Sequence, residues 1–256
     1  MQRISRRTAL LGLALLPAVR NAAAAAPEPE QLTVKTDEGD MAMSRDGADG
    51  TARRSAVLLL HGARGIEMKP AAYERHANAL QAGGIDCYLV RYLTEADTRI
   101  LGSGTKPERE AHATARYEAW AKRVSAAITT VLARPDSSGR IGLLGFSLGG
   151  YLAAATALRD GRVAALAVLY GGMPDAMASE IKHLPSLLEL HGEADRNVPL
   201  REGERLVQLA KAAGGEAEQV TYPGKAHGFD FSDTDPATFD AITRVTRFFG
   251  AHLGSG

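Results

Sequence analysis

The chain has 256 residues, 45% of them hydrophobic, which suffices for one large buried core or at most two small ones. Its 30 basic and 30 acidic side chains cancel, so no global field draws nucleic acid or an anionic membrane to the surface. A neutral small molecule is the expected partner. The single cysteine, Cys87, excludes an internal disulfide and lies in an apolar run where a buried thiol is ordinary.

Met1 to Arg7 carries Arg3, Arg6 and Arg7 and no acid, Thr8 to Val19 is apolar but for Pro17, and small residues Ala22 to Ala26 follow. That order is the layout of a cleavable signal, with an apolar stretch too short to span a bilayer comfortably. Ser5-Arg6-Arg7 before Thr8-Ala9-Leu10-Leu11 resembles a twin-arginine export signal, which carries folded proteins; an ordinary secretory signal and a retained anchor are the other readings. The expected division is an export signal over 1–26, a solvated linker over 27–31 and one catalytic domain over 32–254. A periplasmic or secreted protein with no stable membrane anchor after cleavage follows from it.

Within the domain, Gln31 to Thr36 and Met41 to Ser44 flank a turn-like Asp37-Glu38-Gly39-Asp40 and predict an edge hairpin. The apolar run Ala56 to Leu60 predicts a strand that opens into the loop His61-Gly62-Ala63-Arg64-Gly65-Ile66, and Ala71 to Ala82 has helical spacing. A strand over Asp86 to Tyr92 and a long helix over Glu108 to Ala133 follow, then a strand over Ile141 to Gly145 and a helix over Leu148 to Arg159. Val163 to Tyr170, Ser186 to Leu190 and Glu218 to Tyr222 read as further strands, and Arg201 to Ala213 and Pro236 to Leu253 as helices. The central strands are continuously apolar, which marks strands buried on both faces. The predicted fold is α/β: a three-layer α/β/α sandwich on a mostly parallel, doubly wound sheet, with no large lid domain.

Gly145-Phe146-Ser147-Leu148-Gly149-Gly150 sits between a predicted strand and a predicted helix, the context in which G-x-S-x-G forms the nucleophile elbow of an α/β-hydrolase. The glycines let strand and helix pass closely around a strained serine at a helix N-terminus. A serine hydroxyl needs a base and a carboxylate to orient that base, supplied in this fold in the chain order Ser, acid, His. The loop after the strand ending at Leu190 holds two carboxylates, Glu193 and Asp195, at the strand's C-terminal end where catalytic groups gather. Of seven histidines, only His227 both follows that loop and stands in a loop just beyond a strand. His252 and His183 read as surface residues, His76 and His112 as exposed or partly packed helix positions, and His191 as structural. Two oxyanion donors are expected, the amide of Leu148 and that of Ala63, with Arg64 as the alternative to Ala63. Arg64, Tyr92, Tyr151, Met173 and Phe229 are candidates for lining a substrate pocket. No cluster has metal-ligand spacing, and neither metal nor cofactor is expected.

Together the His61-Gly62-Ala63-Arg64-Gly65 loop, the Ser147 elbow, His191-Gly192-Glu193-Ala194-Asp195-Arg196-Asn197-Val198-Pro199 and Tyr222-Pro223-Gly224-Lys225-Ala226-His227-Gly228-Phe229 resemble the dienelactone hydrolase family, over nearly all of Leu32 to Leu253. The Asp-x-x-Val-Pro pattern of that family favours Asp195 over Glu193, and the resemblance implies a triad of Ser147, Asp195 and His227. The founding enzymes of the family carry a cysteine nucleophile where Ser147 stands, and a glutamate in the first oxyanion loop where Gly62 stands. The resemblance thus implies an esterase acting on small acyl substrates more than on dienelactone itself. A peptidase of the prolyl-oligopeptidase type, or a non-catalytic binding protein on the same fold, are the competing readings.

Overall fold

The computed structural model describes residues 28–47 and 52–254. The expected export signal lies outside the described residues. β1 (Glu30–Thr36) and β2 (Gly39–Asp46) form the predicted antiparallel hairpin, with Glu30 opposite Arg45 and Thr36 opposite Gly39. Gly39 supplies the turn's positive φ of 95°. The strand starts inside the expected linker because Glu30 is held by Arg45 and Arg134, so Glu30 and Gln31 belong to the domain.

The other strands are β3 (Arg54–Leu60), β4 (Asp86–Val90), β5 (Ser137–Phe146), β6 (Val163–Leu169), β7 (Ser186–Gly192) and β8 (Ala217–Tyr222). They join the hairpin in one eight-stranded sheet of order β1-β2-β4-β3-β5-β6-β7-β8. Every pairing from β4 to β8 is parallel. This is the mostly parallel, doubly wound sheet expected.

Strand alternation feeds two cores. Leu58 and Leu60 of β3 pack on one face with α3 (Lys106–Leu132), α4 (Leu148–Arg159) and α6 (Leu200–Ala212). Val57 and Leu59 pack on the other with α1 (Pro70–Ala82) and α7 (Pro236–Leu253). Tyr73 and Leu80 of α1 meet Val245 and Phe249 of α7 there. His76 also lies on this inner side of α1 and is buried, which differs from the exposed or partly packed position expected of it.

Two helices were not expected. α5 (Asp175–Ala178) is a single turn, and α2 (Glu95–Ser103) buries only Asp97 and Leu101, too few positions to show a 3.6-residue period. Its start is fixed by a capping box between Thr94 and Asp97. Asp97 then acts as a buried hub: its carboxylate accepts from Trp120 Nε1 at 2.9 Å, Thr94 N at 2.9 Å and Arg116 Nε at 3.0 Å, and lies 2.8 Å from His112 Nε2. Burial pushes its pKa up, but the donors from Trp120, Thr94 and His112 outweigh it and hold the carboxyl well below the usual range. Asp97→Ala is expected to cost about 3 kcal/mol, because it orphans the buried Trp120 indole N–H and removes the carboxylate half of the α2 capping box, while Arg116 keeps its pair with Glu38. A lowered urea midpoint reads that loss. Since the folded pKa is depressed, this contribution is present above the unfolded carboxylate pKa of about 4 and fades as pH falls below it.

Candidate active site

The elbow follows from close approach. A Cβ on Gly145 would overlap the Gly149 carbonyl, and one on Gly149 would overlap the carbonyls of Leu60 and His61 at the end of β3. Only glycine lets β5, α4 and β3 meet so tightly. At the crest Ser147 has φ 54° and ψ −118°, a conformation that is costly for a residue with a side chain. It is held by its own N–H donating to Leu169 O at 3.0 Å and by its carbonyl accepting from Gly150 N at 2.8 Å and Tyr151 N at 3.2 Å.

His227, in the loop after β8, brings Nε2 to 2.9 Å from Ser147 Oγ and Nδ1 to 2.6 Å from Asp195 Oδ2. Asp195, in the loop after β7, accepts on Oδ1 from the amides of Asn197 at 2.8 Å and Val198 at 2.9 Å. Burial works against its charge, but the His227 hydrogen bond and those two amides prevail, so its pKa lies below the ordinary value. An ionised Asp195 fixes His227 with its proton on Nδ1, leaving the Nε2 lone pair for the serine hydroxyl. The three residues selected from sequence therefore form one connected chain across three sheet ends. Glu193, the rival carboxylate, instead accepts from Thr221 Oγ1 and is exposed.

The loop after β3 is pinned around one free donor. Gly62 N–H donates to Tyr73 Oη at 3.2 Å, while Gly62 O accepts from Gly65 N at 3.0 Å and from His61 Nδ1 at 2.8 Å. Gly65 turns the chain with φ 76°. Burial pushes the Tyr73 hydroxyl up to about 12 and His61 down to about 4, so both are neutral scaffold at pH 7. A Cβ on Gly62 would lie 3.7 Å from Ser147 Cβ, which places this loop against the nucleophile. Among the described residues, neither Ala63 N nor Leu148 N donates to an acceptor. Amides without a partner are free to serve as donors to a developing oxyanion.

The pocket candidates divide. Arg64 is exposed on the loop after β3. Tyr92 is wholly buried, stacks on His61 at 4.5 Å and donates its hydroxyl to His61 O at 2.7 Å, so it props the loop after β3 from behind and presents no face to a substrate. Phe229 is likewise buried, packed on Tyr222 at 4.5 Å and Tyr170 at 5.9 Å. Its place in the loop beyond His227 is the anchor of that loop.

Sequence reasoning missed Tyr170 and Asp230. Tyr170, just past β6, has φ 42°, and its ring lies 4.6 Å from that of His227. Its hydroxyl donates to Asp230 Oδ1 at 2.6 Å, and Asp230 Oδ2 is 3.1 Å from His76 Nε2. The loop that carries His227 is thus tied to β6 and α1 three residues further on. A bulky tyrosine before Gly171-Gly172, and an acid between Phe229 and Phe231, were the available signals.

The model of the dienelactone hydrolase family matches residues 49–253. Among curated proteins none matches the chain. In solved structures the chain is similar to the dienelactone hydrolase of Anabaena variabilis, at 21% identity and a TM-score of 0.72, over 89% of this chain and 99% of that one. An esterase from Pyrobaculum calidifontis shares 20% identity with a TM-score of 0.63, over 86% of this chain and 84% of that one. An acylaminoacyl peptidase from Pyrococcus horikoshii shares 14% identity with a TM-score of 0.68, over 90% of this chain but 42% of that one. At these identities the likeness speaks for the α/β-hydrolase fold.

Proposed function

The chain belongs to the dienelactone hydrolase family, and on that premise we propose that it is a serine hydrolase cleaving carboxylic ester bonds, lactones and thioesters included, in small substrates through an acyl-enzyme. The observation that carries this is the Ser147 to His227 to Asp195 chain at 2.9 and 2.6 Å, built on a strained serine. Ser147 Oγ attacks the acyl carbon as its proton passes to His227 Nε2, and Asp195 stabilises the imidazolium that forms. The amides of Ala63 and Leu148 hold the negative oxygen of the tetrahedral intermediate. Its collapse expels the alcohol, which takes the proton from His227. Water then repeats the sequence on the acyl-enzyme, giving its proton to His227 and releasing the acid. No step draws on a cofactor or metal. Export through the twin-arginine-like segment belongs to the same proposal, and N-terminal sequencing of periplasmic protein is expected to find a mature start near Ala26 or Pro27.

The likeness to an acylaminoacyl peptidase keeps amide hydrolysis as the second reading. The two separate on one plate: p-nitrophenyl esters of increasing acyl length beside p-nitroanilides of amino acids and short peptides. Ester turnover is expected to exceed anilide turnover by about 10³-fold in kcat/KM, in line with an oxyanion site that gives no added help to an amine leaving group. Anilides cleaved as fast as esters would replace the esterase reading with the peptidase one.

A further inference from the structure

Glu189 lies on β7 in the middle of a parallel sheet and is 0% exposed. A carboxylate so placed must be paired. Its socket is built for it: a Cβ on Gly203 of α6 would overlap the carboxylate, and Gln219 Nε2 of β8 donates to Glu189 Oε2 at 2.9 Å. The other oxygen, Oε1, lies 2.7 Å from His191 Nδ1. His191, equally buried, has its Nε2 2.9 Å from Val198 O and 3.6 Å from Asp195 Oδ2, the oxygen already bound to His227 Nδ1.

Every polar neighbour of either His191 ring nitrogen is an acceptor. A neutral imidazole offers one N–H and one lone pair, and would set that lone pair against a carboxylate or a carbonyl. A doubly protonated ring beside an ionised Glu189 satisfies both sides, as does a neutral ring that accepts from a protonated Glu189; burial raises the Glu189 pKa, while the hydrogen bonds from His191 and Gln219 favour its ionised form. Burial works against charge on His191, but the Glu189 hydrogen bond and charge dominate and raise its pKa. The charged groups around the pair are Glu189 itself, Glu204 of α6, Asp195 and, across Asp195, His227.

We propose that His191 is a buried imidazolium that positions the triad: anchored by Glu189, it grips the Val198 carbonyl of the Asp195 turn and lays its positive charge against the oxygen that His227 uses. Val198 is held at both ends, its N–H on Asp195 Oδ1 and its carbonyl on His191. The charge also lies across Asp195 from His227, so its removal changes the electrostatics around the base. This rests on the triad reading above.

Glu189→Gln separates the roles. A glutamine amide can donate to Nδ1, so His191 becomes neutral while Nε2–H still holds Val198. The acidic limb of the kcat/KM profile for p-nitrophenyl acetate is expected to move up by about 0.5 to 1 pH unit, with KM changed less than about twofold. An unmoved limb in a folded, active variant overturns the inference, because a merely structural pair would change amplitude and leave the limb in place. Should the variant not fold, ¹⁵N histidine NMR of the wild-type chain decides. Both His191 nitrogens protonated at about pH 8 supports the inference, and a neutral ring at about pH 7 overturns it. A wild-type chain that hydrolyses no ester and takes no fluorophosphonate label would sink the triad reading first and this inference with it, whereas an active wild type with an unmoved limb in the variant sinks this inference alone.

Discussion

Ser147→Ala is expected to lower ester turnover by at least about 10⁴-fold and to abolish covalent labelling by a fluorophosphonate, in a chain that melts within about 2 °C of the wild type. The loss is large because no other hydroxyl can take over the role: the acyl-enzyme needs an oxygen 2.9 Å from His227 Nε2, and Ser147 Oγ is the one that stands there. The residue left by the mutation is the catalysis that the Ala63 and Leu148 amides give to direct attack by water. Stability is unchanged because the strain lies in the backbone. Alanine at φ 54° carries the same Cβ as serine, and the Ser147 N–H to Leu169 O bond is untouched. Ser147→Gly in the same assay is an internal control: it is equally inactive but relieves a strain of about 1–3 kcal/mol, and should melt several degrees higher. A labelled alanine variant, or one keeping more than about 1% of activity, would move the nucleophile elsewhere.

The parts of this site that were legible from sequence are those whose chemistry is local. The elbow is six consecutive residues whose glycines answer to contacts within a few residues and with the adjacent strand. His227 and the loop holding Glu193 and Asp195 follow from a rule about strand ends and chain order, which a one-dimensional pattern preserves, while the choice of Asp195 within that loop comes from the family resemblance. The supports behind them are different in kind. His76 and Asp230 stand 154 residues apart, and Tyr170 and Asp230 stand 60 apart. Nothing in the spacing of a lone histidine on a helix distinguishes one that points at a buried carboxylate from one in water. Glu189 would have been legible as an anomaly, an acid inside an apolar parallel strand, but its partner Gln219 and its socket at Gly203 come from two later elements. Tyr92 and Phe229 are candidates for pocket walls from sequence because they are aromatic and near the right loops. Their burial against His61 and Tyr222 shows that position along the chain does not settle which way a ring turns.

The same geometry makes Gly149 the position where a single methyl group should do the greatest damage away from the reacting atoms. An alanine Cβ there would overlap the backbone carbonyls of Leu60 and His61, and a backbone atom cannot rotate aside as a side chain can. Either α4 lifts off β3 or the loop from His61 to Gly65 moves outward, and both β3 and α4 are packed into the core through Leu60, Leu148 and Leu152. Overpacking of this kind costs about 3 kcal/mol, which for a chain of this size lowers the melting temperature by about 6–12 °C. Activity should fall further than stability. The displaced pieces carry Leu148 N and Ala63 N, and losing good geometry at one oxyanion donor costs about 10²- to 10³-fold in kcat. Ser147 keeps its own place, because its amide is held by Leu169 and its hydroxyl by His227. Gly149→Ala should therefore still react with a fluorophosphonate, slowly and with KM for esters little changed, while kcat collapses. A variant with wild-type kcat and melting temperature would mean that helix and loop do not meet at that glycine. One that folds but takes no label at all would mean that the serine, and not the oxyanion loop, had been displaced.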